Sequence, residues 1–105
     1  MAVKLTEITD IIRSKNAGPY ELTFDIMFKT DGWYERVAAA GVINTALIAD
    51  LYKIPAADVL GIINFAPAKA IKVTIRRPIS SGAFGETDVY GAQQHAPLLG
   101  LVFEV

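Results

Sequence analysis

The residues best suited to chemistry are concentrated between positions 76 and 95. His95 is the single histidine among the 105 residues, and imidazole is the side chain whose unperturbed pKa lies near neutrality. It is therefore the candidate catalytic residue, acting in proton transfer. The alternative is that His95 holds this segment to the neighbouring sheet by hydrogen bonding. Asp88, Gln93 and Gln94 supply further polar side chains that could bind a substrate.

The beginning of the same segment has the composition of an anion site. Arg76 and Arg77 are followed closely by Ser80 and Ser81. Guanidinium groups, hydroxyls and free backbone N–H groups together suit a carboxylate or a phosphate. These four residues are therefore candidate substrate ligands. The simpler alternative is that both arginines are solvated surface charges.

A second polar cluster, Ser14-Lys15-Asn16, stands just before the first clear strand. These three residues are further candidates for substrate binding. The spacing of a phosphate-binding loop is absent. Because a glycine and a proline follow directly, a helix cap and a turn are the alternative interpretation.

Other kinds of site have less support in the sequence. A nucleophilic triad of Ser80 or Ser81 with His95 and Asp88 lacks the sharp strand-turn-helix elbow that activates the serine. A metal site around His95 lacks a second histidine and the close spacing of known ligand sets. The chain contains no cysteine, which excludes disulfides and a thiolate nucleophile. The sequence leaves the identity of any cofactor unknown.

Hydrophobic patterns predict the strands that must position these residues. Alternation predicts a strand over residues 21–29 and another over residues 71–76, each with one buried face. Residues 59–65 are apolar on both faces, which is typical of an interior strand, and the short connection to 71–76 favours an antiparallel pair. Residues 98–105 are predicted to form the last strand, and residues 3–5 a possible first strand.

Helical spacing is found in three places. Ile8, Ile11 and Ile12 predict a short helix or turn near the beginning of the chain. Trp33–Ala40 and Asn44–Tyr52 predict two further helices, with the asparagine as the N-terminal cap of the second. The order of elements favours a single α+β domain over residues 1–105, a ferredoxin-like sandwich in which helices cover one face of an antiparallel sheet.

Composition and charge bear on partners and location. Hydrophobic residues make up 52% of the chain, which is more than a small domain readily buries, so we expect a protein interface. The formal net charge is −1, with no long basic run, which argues against nucleic acid. No stretch is long and apolar enough to serve as an export signal or membrane span, and the lack of cysteine favours a cytoplasmic protein.

Two runs resemble the signature segments of a bacterial and archaeal family, the domain of unknown function 4387 family. They are residues 14–23, SKNAGPYELT, and residues 88–99, DVYGAQQHAPLL. The NFAPA run at 64–68 and the Arg-Pro pair at 77–78 are in register with the same family. That family is similar to the small ferredoxin-fold domain that accompanies acyclic terpene utilisation A-like proteins. The resemblance implies a large protein partner and the breakdown of branched or unsaturated carboxylic acids, or of their coenzyme A thioesters.

The residues and the resemblance together predict the small subunit of a two-component enzyme. The alternative is a stand-alone homo-oligomeric protein or enzyme that binds a small acid. A purely structural scaffold is the third possibility. The sequence leaves open whether the catalytic groups lie on this chain or on its partner.

Overall fold

The computed structural model of the chain describes residues 2–18, 20–76 and 96–104. Within them, six strands form two antiparallel sheets. The larger sheet has four strands in the order β2-β3-β5-β4, and the smaller one pairs β1 with β6. The strands are β1 (Ala2–Lys4), β2 (Thr9–Gly18), β3 (Glu21–Phe28), β4 (Val59–Phe65), β5 (Ala70–Arg76) and β6 (Val102–Glu104).

Strands β3 and β5 lie at the centre of the larger sheet and carry most of its hydrophobic core. Phe24 is opposite Val73 in the register, and Leu22 is opposite Ile75. All four side chains are buried almost completely. Alternation places these residues on one face together with Ile26 and Ile71, and the side chains between them lie on the opposite face.

Three helices join the strands: α1 (Leu5–Ile8), α2 (Asp31–Ala40) and α3 (Thr45–Tyr52). Thr30 caps α2 by accepting a hydrogen bond from the Trp33 amide, and Asn44 caps α3 in the same way. Gly41 ends α2 at φ 64°, a left-handed conformation that favours glycine. Both α2 and α3 therefore begin at residues suited to capping, and α2 also ends at one.

The predicted fold class is confirmed. The chain is an α+β protein with antiparallel sheets and three helices, compatible with a ferredoxin-like sandwich. The predicted strand at 21–29, the helices at 33–40 and 44–52 and the antiparallel pair formed by 59–65 and 71–76 are all present. No helix in the described ranges is long and apolar enough to cross a membrane.

The helix predicted around Ile8, Ile11 and Ile12 is wrong. Only Leu5–Ile8 is helical, and Thr9–Gly18 is a strand. In that strand Ile12 packs against the core, whereas Ile11 lies on the other face and is exposed. β-branched residues favour a strand, and an irregularity in the strand register between Thr9 and Ile11 disturbs the simple alternation.

Two further expectations are corrected at the sheet edges. β4 was expected to be an interior strand, but it is the last strand of the larger sheet, with Leu60, Ile63 and Phe65 exposed. An uninterrupted apolar run does not distinguish a strand buried on both faces from an uncovered edge. The predicted final strand at 98–105 is shorter, since Ala96–Gly100 forms a 3₁₀ helix and only Val102–Glu104 is extended.

Candidate functional site

The face of the larger sheet that points away from the buried core carries a group of polar side chains from three neighbouring strands. β2 supplies two cations, β3 supplies a hydroxyl and a carboxylate, and β5 supplies a cation and a hydroxyl. The register aligns them in two adjacent rows. We call this group the charged face; its members are Arg13, Lys15, Thr23, Asp25, Lys72 and Thr74.

One row of the charged face contains an ion pair. The Nε atom of Arg13 donates a hydrogen bond to Oδ2 of Asp25 at 3.0 Å. The side chain of Asp25 is 10% exposed, while that of Arg13 is 53% exposed. Asp25 lies on a central strand between Arg13 and Lys72 in the register.

The two lysines provide the unneutralised charge of this face. Lys15 is opposite Thr23 and Lys72 is opposite Asp25. Both lysines are exposed, and among the described residues neither is in a salt bridge. With Arg13 and Asp25 offsetting each other, the charged face carries a net positive charge from the lysines, which suits an anionic ligand.

An apolar row borders the charged face. Ile11 is opposite Met27, Met27 is opposite Ala70, and Ala70 is opposite Phe65. The outer residues, Ile11 and Phe65, are exposed. The same surface thus presents cations and hydroxyls beside hydrocarbon, a combination that matches an acid with an apolar chain.

Arg76 lies at the end of β5, and an ion pair reduces the positive charge that it was predicted to offer to an anionic ligand. Its Nε atom is 3.4 Å from Oδ1 of Asp58. The pair is partly exposed, so its contribution to stability is small. It nevertheless offsets the charge of the first arginine of the predicted anion site.

The predicted cluster at 14–16 is divided between the two faces of the sheet. Ser14 is opposite Phe24 and is buried, whereas Lys15 is exposed on the charged face. Asn16 is opposite Leu22 in the register. The cap-and-turn interpretation of this cluster is wrong, because all three residues belong to β2. Adjacent residues of a strand point to opposite faces, so Ser14 and Lys15 do not form one site.

The remaining predicted site residues lie outside the described part of the chain. They are Arg77, Ser80, Ser81, Asp88, Gln93, Gln94 and His95. Their assignment to a site stays a prediction. In the residues that the structure does describe, no group of three or more histidine, aspartate or glutamate side chains is arranged to hold a metal ion.

A shallow pocket of about 220 Å³ lies at the beginning of α2 and is lined by Thr30, Gly32, Trp33 and Arg36. The Arg36 guanidinium lies 4.9 Å from the centre of the Trp33 ring, a distance typical of a cation–π contact. Among the described residues, no predicted site residue and no member of the charged face lines this pocket. The cation in the described lining, Arg36, already has an aromatic partner.

Arg13, Thr23, Lys72 and Thr74 were not predicted as site residues. A signal was present, since Thr23 and Asp25 alternate with the core residues of β3, and Lys72 and Thr74 alternate with those of β5. The missing step was the assignment of β2 as a strand. Only antiparallel pairing of β2 with β3 brings Arg13 opposite Asp25.

Comparison with known proteins gives one family. The family model described as domain of unknown function (DUF4387) matches residues 5–102, which include all six residues of the charged face. No curated protein and no solved structure matches the chain significantly. Since the match extends over nearly the whole chain, the protein belongs to the DUF4387 family.

Proposed function

We propose that this chain is the small subunit of a two-component enzyme that degrades branched or unsaturated carboxylic acids or their coenzyme A thioesters. Its partner in this proposal is an acyclic terpene utilisation A-like large subunit. The observation that carries the proposal is the charged face, where the exposed lysines Lys15 and Lys72 lie beside an apolar row. The substrate class and the partner come from the family resemblance.

The form of this surface supports a composite site. The charged face is the surface of a sheet, and the pocket at the beginning of α2 contains none of its residues. Small-molecule sites are normally concave and bury most of their ligand. The described part of the charged face therefore does not enclose a small acid by itself, and in this proposal a second protein completes the cover.

The chemistry of the face fits an acid or a thioester. Lys15 and Lys72 attract a carboxylate or the phosphates of coenzyme A, and the half-buried Thr74 supplies a hydroxyl donor beside them. The neighbouring Ile11 and Met27 offer an apolar surface to a hydrocarbon chain. This chain thus binds and orients the substrate, and the large subunit completes the enclosure.

His95 has a separate role in the proposal, as the proton-transfer residue. Arg77 assists by binding the acid group. In the reconstituted enzyme, His95→Gln keeps polarity and approximate size while removing titration near neutral pH. It should lower activity and change the pH profile. Unchanged activity with an unchanged profile would assign the catalytic groups to the large subunit.

The test of the assembly is co-expression with a large subunit of the acyclic terpene utilisation type, ideally one encoded beside the gene for this chain. We expect the two proteins to co-elute through affinity and size-exclusion chromatography. A chain that never co-elutes with such a subunit, yet binds or turns over a small acid alone, would instead support the stand-alone homo-oligomeric alternative.

The test of the charged face compares two exposed lysines. With isovaleryl coenzyme A as the probe and the reconstituted complex as the protein, Lys72→Ala should weaken binding about 10-fold, since it removes a charge-assisted hydrogen bond. Lys29→Ala is the matched control, because Lys29 is also exposed but follows the end of β3. Arg77→Ala should behave like Lys72→Ala. Equal and negligible effects of all three changes would contradict a ligand role for this face.

A further inference from the structure

The two edge strands of the larger sheet differ in how well they are protected from pairing with a strand of another chain. β2, at one edge, carries Asp10, Arg13 and Lys15 and has two register irregularities. β4, at the other edge, has the sequence VLGIINF and contains no charged residue and no proline. It has one register irregularity, between Val59 and Gly61, and its register is regular from Gly61 to Phe65. Charges, prolines and bulges are the usual means by which proteins keep exposed edges from pairing. β2 is therefore better protected than the part of β4 from Gly61 to Phe65.

β4 is also exposed on its side chains. The side chains of Leu60, Ile63 and Phe65 are exposed, with Ile63 at 60%. In the described part of the chain, β5 is the only strand that pairs with β4. Among the described residues, one edge of β4 therefore has backbone N–H and C=O groups with no strand partner, flanked by apolar side chains, which is a template for adding another strand.

We propose that β4 pairs with β4 of a second copy of this chain about a two-fold axis through Ile63. Antiparallel pairing about this axis joins the two four-stranded sheets into one continuous sheet. Residues that face each other across an antiparallel pair lie on the same face of the sheet. Ile63 then faces Ile63 of the second copy, and Gly61 faces Phe65.

The pairing of Gly61 with Phe65 supports this register. A side chain added at Gly61 would meet nothing within 4 Å, so the surface over this glycine is open. Phe65 is exposed and lies on the same face as Gly61, four residues further along the strand. In the proposed dimer the Phe65 ring of each copy covers Gly61 of the other, an arrangement in which an aromatic residue compensates for an edge glycine.

Charge at the ends of β4 favours the same arrangement. Asp58 directly precedes the strand, and Lys69 follows it after a short 3₁₀ helix. Antiparallel pairing brings Asp58 of one copy to the same end as Lys69 of the other, so unlike charges approach at both ends, although Asp58 also pairs with Arg76 of its own chain. A parallel arrangement would bring like charges together. The strand itself adds no charge that opposes the contact.

Cross-linking through an introduced cysteine tests the axis directly, because the chain has no cysteine of its own. Residues directly opposite in an antiparallel pair have Cα atoms about 4.5 to 5.5 Å apart, which lies within the range of a disulfide. Ile63→Cys should therefore form a covalent dimer of about twice 11.4 kDa under mild oxidation. Ile11→Cys, on the other edge strand and 42% exposed, is the matched control and should remain largely uncross-linked.

Sedimentation velocity provides the second measurement and does not depend on oxidation. The wild-type chain should be a dimer at micromolar concentrations. Ile63→Lys places two like charges at the axis and should raise the dimer dissociation constant about 100-fold, whereas Ile11→Lys should not. Circular dichroism checks that each variant is folded. A monomeric wild type, or equal cross-linking of the two cysteine variants, would overturn the proposal. So would a β4 edge whose backbone amides are protected from hydrogen exchange only in complex with another protein.

Discussion

Tyr52 is the described residue whose ionisation is most affected by its surroundings. It lies at the end of α3, and its ring stacks on Phe24 with ring centres 4.9 Å apart. Burial raises the pKa of the Tyr52 hydroxyl well above its usual range. The hydroxyl therefore stays protonated in the folded chain at pH values where an unfolded tyrosine, with a pKa of about 10, ionises.

This difference predicts how stability changes at alkaline pH. As pH rises above about 10, the unfolded chain releases a proton that the folded chain keeps, so the free energy of unfolding falls. The contribution of one such group approaches about 1.4 kcal/mol per pH unit. Tyr52→Phe should remove this contribution and reduce the slope, as measured by urea unfolding between neutral pH and pH values above the tyrosine range.

The exposed Tyr20 provides the control for that measurement. Tyr20→Phe makes the same chemical change at an exposed ring and removes no buried hydroxyl, so it should leave the slope closer to that of the wild type than Tyr52→Phe does. Lysines also titrate in this range, so the effect of Tyr52 is obtained by comparing the slopes of the two variants and not from the wild-type curve alone. Identical slopes for both variants would mean that Tyr52 ionises freely in the folded protein.

Asn44 shows how one side chain defines the beginning of an element. Its Oδ1 accepts a hydrogen bond from the Leu47 amide at 2.9 Å, and its Nδ2 donates to the Gly41 carbonyl at 2.9 Å. Asn44→Ala removes both bonds and should lower the free energy of unfolding by about 1 kcal/mol. Chemical denaturation is the measurement.

Asn44→Asp separates the two bonds. A carboxylate still accepts from the Leu47 amide but cannot donate to Gly41, and its charge is favourable at a helix N-terminus. We therefore expect Asn44→Asp to be clearly more stable than Asn44→Ala. An alanine variant as stable as the wild type would show that the cap does not contribute to the stability of α3.

The elements that could be predicted from the sequence are those with one strong local signal. β3 has strict alternation, and α3 begins at a capping asparagine. β2 could not be assigned in this way, because three isoleucines at helical spacing outweighed the extended preference of its neighbours. The edge position of β4 depends on which strands pair, and pairing is a property of the whole sheet.

The same reasoning explains what was missed in the candidate site. Lys15 was recognised by its polarity, but Arg13 and Lys72 are separated by almost sixty positions in the chain and meet only through β3. Polar residues concentrated in one stretch attract attention in a sequence. A site assembled across three strands has no such concentration, so only the register reveals it.

At the scale of the whole molecule, the small sheet connects both ends of the described chain to the core. Val3 is opposite Phe103, both side chains are buried, and the Leu5 amide donates to the Leu101 carbonyl at 3.0 Å. Phe103→Ala should lower the global free energy of unfolding by about 3 kcal/mol or more. Thermal and urea unfolding measure it.

Val102→Ala is the matched control on the same strand. Val102 is 55% exposed, so its truncation should change stability by less than about 0.5 kcal/mol. If Phe103→Ala is as mild as Val102→Ala, the small sheet unfolds independently of the core. A large effect confined to Phe103 would show that both sheets belong to one cooperative unit.

The pairing of β1 with β6 also bears on the order in which the chain folds. The hairpins β2–β3 and β4–β5 form between strands that are close in sequence, whereas Val3 and Phe103 are about 100 residues apart. Closing a loop of that length in an otherwise unfolded chain costs about 4 kcal/mol of entropy. We therefore expect the terminal strands to pair late, after the helices and the larger sheet have already brought them near each other.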